Sequence, residues 1–587
     1  MRRMLAILLV LFLAPAVAAP QARNGLEGFD EFVKAAMKEE KVTGMAIVIV
    51  QDGKVIHAKG YGLRDINKNL PVTPQTLFAI GSITKSFTCS ALGVLADEGK
   101  LDWDKPVREY LPDFRLHDGV ASERMTPRDL VTHRSGLPRH DLLWYGSTLT
   151  RKEMYDRLRY LEPSKDFRNL WHYNNLMFMT AGVLTEKITG GSWEQFVRQR
   201  ILLPLGMETA NFSVHESQKR PDFALPYRKA KEETAEVPFR VLDHIGPAGS
   251  INSSVEEMGR YLLMHMNDGK IEKGRILSER AAREMQTPQM VVPAASPHDE
   301  LGHSSYGHGF VISSYRGHKT VSHGGGIDGF NALLSFLPGK KTGLVILSNT
   351  SANPLLAPVT YNAFDRLLGL EEIAWRQRFK DQQKKQREAA AAKKDAPRKT
   401  GTTPSHALTE YAGSYEHPGY GVMTVALEKD ELQARFNHIK APLKHYHYDV
   451  FEVTPDPLNP EQKSKVTFTL NPRGEVHSLA AQLEPAVKDI VFTRMPEKRL
   501  LEKSALEPLA GEYQLGALTA TVTLRADNTL LLSVPGQPQY ELVPARDLTF
   551  DIKGLSGFSV EFRKNAAGAV TELISHQPNG SFTGKKK

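Results

Sequence analysis

The 587-residue chain predicts an α+β protein followed by two small all-β units. Three observations carry that reading. Antiparallel strand signals lie at both ends of the first 370 residues and enclose a mostly helical middle, which suggests one sheet completed by distant pieces of chain. A Lys-, Gln-, Arg- and Ala-rich stretch from 376 to 405, with Ala389 to Ala392 uninterrupted and Pro397 and Pro404 near its end, marks a helical and then flexible linker. Beyond it the chain is β-rich and repeats at an offset near ninety-five residues: Ala412-Gly413-Ser414-Tyr415 returns as Ala510-Gly511-Glu512-Tyr513, and Val466, Phe468, Gly474 and Val476 return as Val560, Phe562, Gly568 and Val570. Two barrels or sandwiches of one kind are expected, over 406–498 and 503–585.

In chain order, residues 1–19 read as a secretory signal: Arg2 and Arg3, an apolar run from Leu5 to Leu13, and the small residues Ala16-Val17-Ala18-Ala19 at a cleavage site. The run is too short to span a bilayer. The expectation is a secreted, periplasmic protein without stable membrane insertion, its catalytic unit covering 20–375. A helix is predicted over 29–39 and a hairpin over 45–59, turning at Asp52-Gly53. Helices are predicted over 176–189, closed by Gly190-Gly191, and over 193–203, ended by Pro204. Strands return at 308–314, 319–323, 331–337 and 344–348.

Composition narrows the partners. The hydrophobic share of 41% is enough for several cores, and Cys89, the only cysteine, excludes an intramolecular disulfide. Much of the net charge of +8 sits in the linker and in Lys585-Lys586-Lys587, which read as solvated; no nucleic-acid motif accompanies it. The sequence does not fix the oligomeric state.

The chemistry concentrates at Ser82-Ile83-Thr84-Lys85. Residues three apart share a helix face, so a hydroxyl and an amine meet one turn apart at the start of an apolar helix formed by Ile83, Phe87, Ala91, Val94 and Leu95 and stopped at Gly99. A partly desolvated lysine has a lowered pKa and can take the proton of such a serine. Tyr173-Asn174-Asn175 adds a phenol, able to relay protons as a partial phenolate, and an amide. His323-Gly324-Gly325-Gly326, at the end of a strand, adds a side chain and a bare backbone that substrate can approach.

From about Gly25 to Leu370 the chain resembles the serine β-lactamase-like and penicillin-binding-protein family, in the branch with class C β-lactamases, D-alanyl-D-alanine carboxypeptidases, D-aminopeptidases and esterases. The matching residues are Ser82/Lys85, Tyr173/Asn175 and His323-Gly324-Gly325, with Phe78-Ala79-Ile80-Gly81, Thr132 to Leu137, Pro204-Leu205-Gly206-Met207 and Tyr306 to Phe310 around them. The resemblance implies catalysis by Ser82, Lys85 and Tyr173, an oxyanion site at the N–H groups of Ser82 and Gly326, and substrate binding by Asn175, His323, Gly324, Gly325 and Gly326. It implies an acyl-enzyme, no metal and no cofactor, and a small-molecule or peptide substrate. The literal triplets Lys341-Thr342-Gly343 and Lys399-Thr400-Gly401 are rejected as the third motif, the first for its exposed turn and the second for its linker position; Ser250-Ile251-Asn252 is set aside in favour of Tyr173. The histidines at 303, 308, 318 and 323, and His445 and His447, are read as packing residues.

Where the family carries a lysine in its third motif this chain has His323, largely neutral at pH 7. That favours peptidase, D-amino-acid amidase or esterase activity over β-lactamase activity. The alternatives are a β-lactamase or penicillin-binding protein and a catalytically silent scaffold of the same fold. The C-terminal units carry no catalytic motif; in related enzymes such appended β domains can lie over the cleft and restrict access, so gating is expected of them.

Overall fold

A computed structural model describes residues 25–230, 233–293, 296–392, 398–454 and 463–587. The signal segment and the Pro397 region of the linker lie outside the described residues.

Strand β1 (Gly44–Gln51), which forms a hairpin with β2 (Lys54–Asp65), is buried on both faces. Met45, Ile47 and Ile49 enter one apolar core, and Ala46, Val48 and Val50 enter another. Seven further strands complete one antiparallel sheet: β3 (Leu70–Pro71), β4 (Met290–Val291), β5 (Ser305–Tyr306), β6 (Val311–Tyr315), β7 (His318–Ile327), β8 (Phe330–Leu337) and β9 (Thr342–Ser348). Their order is β4-β5-β6-β7-β8-β9-β1-β2-β3, so the N-terminal hairpin pairs with the last strand, Met45 opposite Ser348 and Gln51 opposite Thr342. The Gly-rich motif lies inside β7, with Gly326 opposite Asn331. It lies at the end of the strand, as the sequence suggested, and with no side chain to clash the three glycines carry the pairing beyond His323 to Ile327.

On one face of the sheet lie helix α1 (Phe29–Glu40), α5 (Leu356–Leu368) and α6 (Trp375–Ala392). The start of α6 is not a solvated linker. Trp375 is 1% exposed, its indole N–H donates to the Tyr315 hydroxyl at 3.0 Å, and that hydroxyl donates to Asp365 at 2.7 Å. Arg376 and Lys380 pair with Glu39 at the end of α1. On the other face lie α4 (Val255–Met266) and the helical middle around α2 (Thr84–Asp97), whose residues from Thr84 to Leu95 are all buried. A helix apolar on every side belongs in the middle of a core, and this burial sets the environment of Lys85.

The two C-terminal units are closed eight-stranded antiparallel barrels, the first with strands from Gly413–His417 to Ile490–Arg494 and the second from Gly511–Leu515 to Gly580–Lys586. Closure removes the exposed edges that a small sheet would otherwise present. The repeat read from the sequence reflects equivalent contacts. Tyr415 donates to the Tyr411 carbonyl and Tyr513 to the Leu509 carbonyl, each at 2.8 Å and four residues back, and each tyrosine meets the equivalent phenylalanine, Phe468 or Phe562, edge-on. The first barrel shares a continuous apolar core with the sheet-bearing unit, and the second has a core of its own.

Removing the α6 anchor by Trp375→Ala is expected to destabilise the sheet-bearing unit by about 3 kcal/mol. Urea unfolding reads this directly, and an unchanged midpoint would contradict the packing described.

Candidate active site

Ser82 sits in a single 3-10 turn, Gly81–Ile83, that feeds α2. Glycine is required on both sides of this turn's contact with β7. Gly81 has φ +51, and a Cβ there would stand 2.7 Å from the Gly326 nitrogen; a Cβ on Gly325 would stand 1.9 Å from the Ile80 carbonyl oxygen and 3.3 Å from the Ser82 nitrogen. The backbones of the serine turn and of β7 therefore touch, and the Ser82 and Gly326 nitrogens lie at the same junction.

One helical turn further on, Lys85 is wholly buried. Its Nζ lies 3.1 Å from Ser82 Oγ and donates to Asn175 Oδ1 and to the Ala248 carbonyl, each at 2.7 Å. Burial holds the amine well below its ordinary pKa of 10.5, and the nearby Arg139 cation pushes the same way against Asp141. Nζ thus faces three oxygens; when the amine is neutral, the two carbonyl-type oxygens take its two N–H groups and its lone pair can receive the Ser82 hydroxyl proton.

Tyr173 and Asn175 are placed by a helix start. Asn174 caps helix α3 (Asn175–Thr189), its side-chain oxygen accepting from the Met177 N–H at 2.9 Å, a contact worth about 1 kcal/mol. The cap leaves Tyr173 in extended chain and Asn175 in the first turn. The centre of the Tyr173 ring lies 4.8 Å from Lys85 Nζ, and the phenol is near enough to Ser82 for the serine to lower its pKa. Burial raises the phenol above its ordinary 10.0 despite the opposing pull of Ser82 and Arg139. Desolvation disfavours both the ammonium and the phenolate, and for the phenolate the Arg139 cation over the ring opposes it in part.

Ser82, Asn175 and Gly326 line a cavity of about 290 Å³ together with Arg139, Asp141, Trp144, Tyr145, Leu242, Ala248, Gly249 and Asp328. His323, Gly324 and Gly325 are not among its lining residues, nor are Lys85 and Tyr173, which lie behind Ser82. His323 is buried, accepts from the Tyr306 hydroxyl at 2.8 Å, donates through Nδ1 to the Gly324 carbonyl at 2.6 Å, and is held neutral by burial at a pKa of about 3. Its contacts orient β7 from behind. Lys341 is exposed beside its turn, and the Ser250 hydroxyl has no partner.

Sequence reasoning missed Arg139 and Asp141. The Arg139 guanidinium stacks 4.9 Å from the centre of the Tyr173 ring and donates through Nε to Asp141 at 2.5 Å. Asp141 also accepts from Asn175 Nδ2 at 3.1 Å and from the Trp144 indole at 2.8 Å. Both ends of the Asn175 amide are therefore engaged, one by Lys85 and one by Asp141. Their only sequence signal was nearness to the segment from Thr132 to Leu137. Across the cavity, Asp328 accepts from the Tyr145 hydroxyl and from Arg240 at 2.8 Å.

A serine, a buried amine, a phenol and a paired backbone site in this arrangement define a class of protein that also emerges from comparison. Residues 29–367, more than half of the chain, match the beta-lactamase family model, and the chain belongs to that family. Residues 397–494 match a domain family of unknown function, DUF3471. An unguisins hydrolase of Aspergillus campestris is 28% identical over 69% of this chain and 78% of its own length. A putative penicillin-binding protein of Bacillus subtilis is 26% identical over 56% of this chain and 76% of its own. The structure of an octameric penicillin-binding protein homologue from Pyrococcus abyssi is 25% identical, covers 80% of this chain and all of its own, and superposes with a TM-score of 0.53. Among the described residues no helix is long and apolar enough to cross a membrane.

Gly325→Ala tests the junction of turn and strand. The added methyl collides with backbone that cannot turn aside, so labelling of Ser82 by a fluorophosphonate is expected to slow by about a hundred-fold. Labelling at the unaltered rate would contradict the described contact.

Proposed function

We propose that the protein is a secreted serine hydrolase that cleaves amide or ester substrates through an acyl-enzyme. The observation that carries this reading is the buried Lys85 amine, its two N–H groups held by Asn175 and Ala248 and its third direction open to Ser82 Oγ at 3.1 Å.

Acylation follows from the geometry. Lys85 accepts the Ser82 proton as Oγ attacks the substrate carbonyl carbon, and the N–H groups of Ser82 and Gly326 receive the charge that develops on the carbonyl oxygen. Tyr173, with its ring centre 4.8 Å from Lys85 Nζ, passes its phenolic proton to the leaving nitrogen or oxygen and recovers a proton from the Lys85 ammonium. In the second half the pair withdraws a proton from water, water attacks the acyl carbon, and Ser82 Oγ leaves with a proton. Asn175 keeps Lys85 aimed and has one amide hydrogen left for a substrate carbonyl.

The neutral, buried His323 supports peptidase, amidase or esterase chemistry over β-lactam hydrolysis, since it offers no cation in the place of the family's third-motif lysine. The hydrolase name of the fungal relative and the penicillin-binding name of the bacterial one agree with the broader reading.

The test is p-nitrophenyl ester turnover by the wild type, Ser82→Ala and Lys85→Met. Ser82→Ala is expected to abolish turnover, and Lys85→Met to lower kcat/KM by about 10²- to 10⁴-fold. Because neutral Lys85 is the active form, the wild-type rate rises as pH passes upward through the depressed amine pKa and levels off well below pH 10.5. Turnover that survives in Ser82→Ala, or a rate still climbing at pH 10.5, would overturn the assignment.

A further inference from the structure

The segment that carries Arg139 and Asp141 is fastened by the first C-terminal barrel. His140, between them, adopts φ +47, a left-handed conformation uncommon outside glycine. Its backbone N–H donates to Glu484 Oε2 at 2.8 Å. Its side chain, wholly buried, donates through Nε2 to the Glu162 carbonyl at 2.9 Å, which leaves Nδ1 to accept the Tyr420 hydroxyl at 2.7 Å. Two and five residues on, Asn437 Nδ2 donates to the Leu142 carbonyl at 2.7 Å and to the Tyr145 carbonyl at 3.3 Å. Glu484, Tyr420 and Asn437 all belong to the first barrel, the region matching the domain family of unknown function.

We propose that Glu484 is a positioning residue for the catalytic site, holding the strained His140 so that Asp141 locks Asn175 and, through it, the Lys85 amine. The proposal rests on the serine-hydrolase reading above. The path is continuous: Glu484 to His140 N–H, then Asp141 to Asn175 Nδ2 at 3.1 Å, Asn175 Oδ1 to Lys85 at 2.7 Å, and Lys85 to Ser82 Oγ at 3.1 Å.

Two features show that Glu484 holds this segment through its polar contact. A cavity of about 400 Å³ separates Leu483, Pro485 and Ala486 from Arg139 and Leu142, so apolar packing between the two stretches is incomplete there. Glu484 itself is 6% exposed and spends its other oxygen on the Ala486 N–H at 3.0 Å. Buried carboxyl oxygens cost free energy unless donors face them, and His140 supplies one from the other unit. The first barrel thus braces from behind the segment that supplies Arg139, Asp141, Trp144 and Tyr145 to the cavity wall.

The experiment compares wild type with Glu484→Ala and Glu484→Gln, reading steady-state ester hydrolysis and amide hydrogen exchange over residues 139–145. Glu484→Ala is expected to lower kcat by about ten- to a hundred-fold, with KM for a small ester changed less than about two-fold, and to speed exchange across the segment. Glu484→Gln, which keeps an amide oxygen for the His140 N–H, is expected to recover most of both. Should Glu484→Ala unfold, Tyr420→Phe removes the second tie and is expected to speed the same exchange. Wild-type kcat and unaltered exchange in the alanine variant, or in Tyr420→Phe where that variant decides, would overturn the proposal, as would a glutamine variant no better than alanine. If the wild type shows no Ser82-dependent turnover, the hydrolase reading fails, and the exchange rates still decide whether Glu484 holds the segment.

Discussion

A primary amine enclosed in an apolar helix core is the constraint around which the rest is arranged. Leaving Lys85 charged there would cost several kcal/mol of desolvation, and no carboxylate touches Nζ to offset it. The described neighbours of Nζ are instead two oxygens that accept and one hydroxyl that can donate. Burial and the Arg139 cation lower the amine pKa, against the opposing pull of Asp141, and so favour the neutral base next to Ser82. The same desolvation keeps Tyr173 protonated, so one physical cause prepares both a proton acceptor and a proton donor around a single oxygen.

The fold delivers this arrangement from four distant stretches of chain. Helix α2, buried along its length, brings Ser82 and Lys85. The Asn174 cap brings Tyr173 and Asn175. The turn before Ser250 brings the Ala248 carbonyl, and β7 brings the Gly326 nitrogen against the serine turn. The sheet that carries β7 closes only when β1 pairs with β9, so the geometry at Ser82 depends on contacts between residues some 300 positions apart. The first barrel adds a fifth stretch by pinning residues 140–145 from outside.

What the sequence revealed and what it hid divide along a physical line. Ser82 and Lys85 were legible because three-residue spacing on a helix is local, and Tyr173 because it directly precedes a helix start. The α+β class and the paired barrels were legible from alternation, from a repeat of about ninety-five residues, and from the strand signals at both ends of the first unit. The places of His323, Arg139 and Asp141 were not, because each depends on tertiary neighbours. His323 turns its ring into the Tyr306 contact behind β7, and Asp141 reaches Asn175 only because His140 takes a positive φ held by a side chain 344 residues away. The docking of α6 was hidden for a similar reason: its charged composition read as linker, while Trp375 and Phe379 at its start had a waiting aromatic surface in Tyr315 and Tyr361.

The central claim concerns one proton, and the most direct measurement is the titration of Lys85 itself, followed by NMR of the wild type with selectively ¹⁵N-labelled lysine side chains and assigned by its loss in Lys85→Met. The account predicts that Lys85 Nζ titrates well below 10.5 and that its midpoint moves when Ser82 is acylated. A Lys85 ammonium that persists at or above the ordinary lysine value would contradict it.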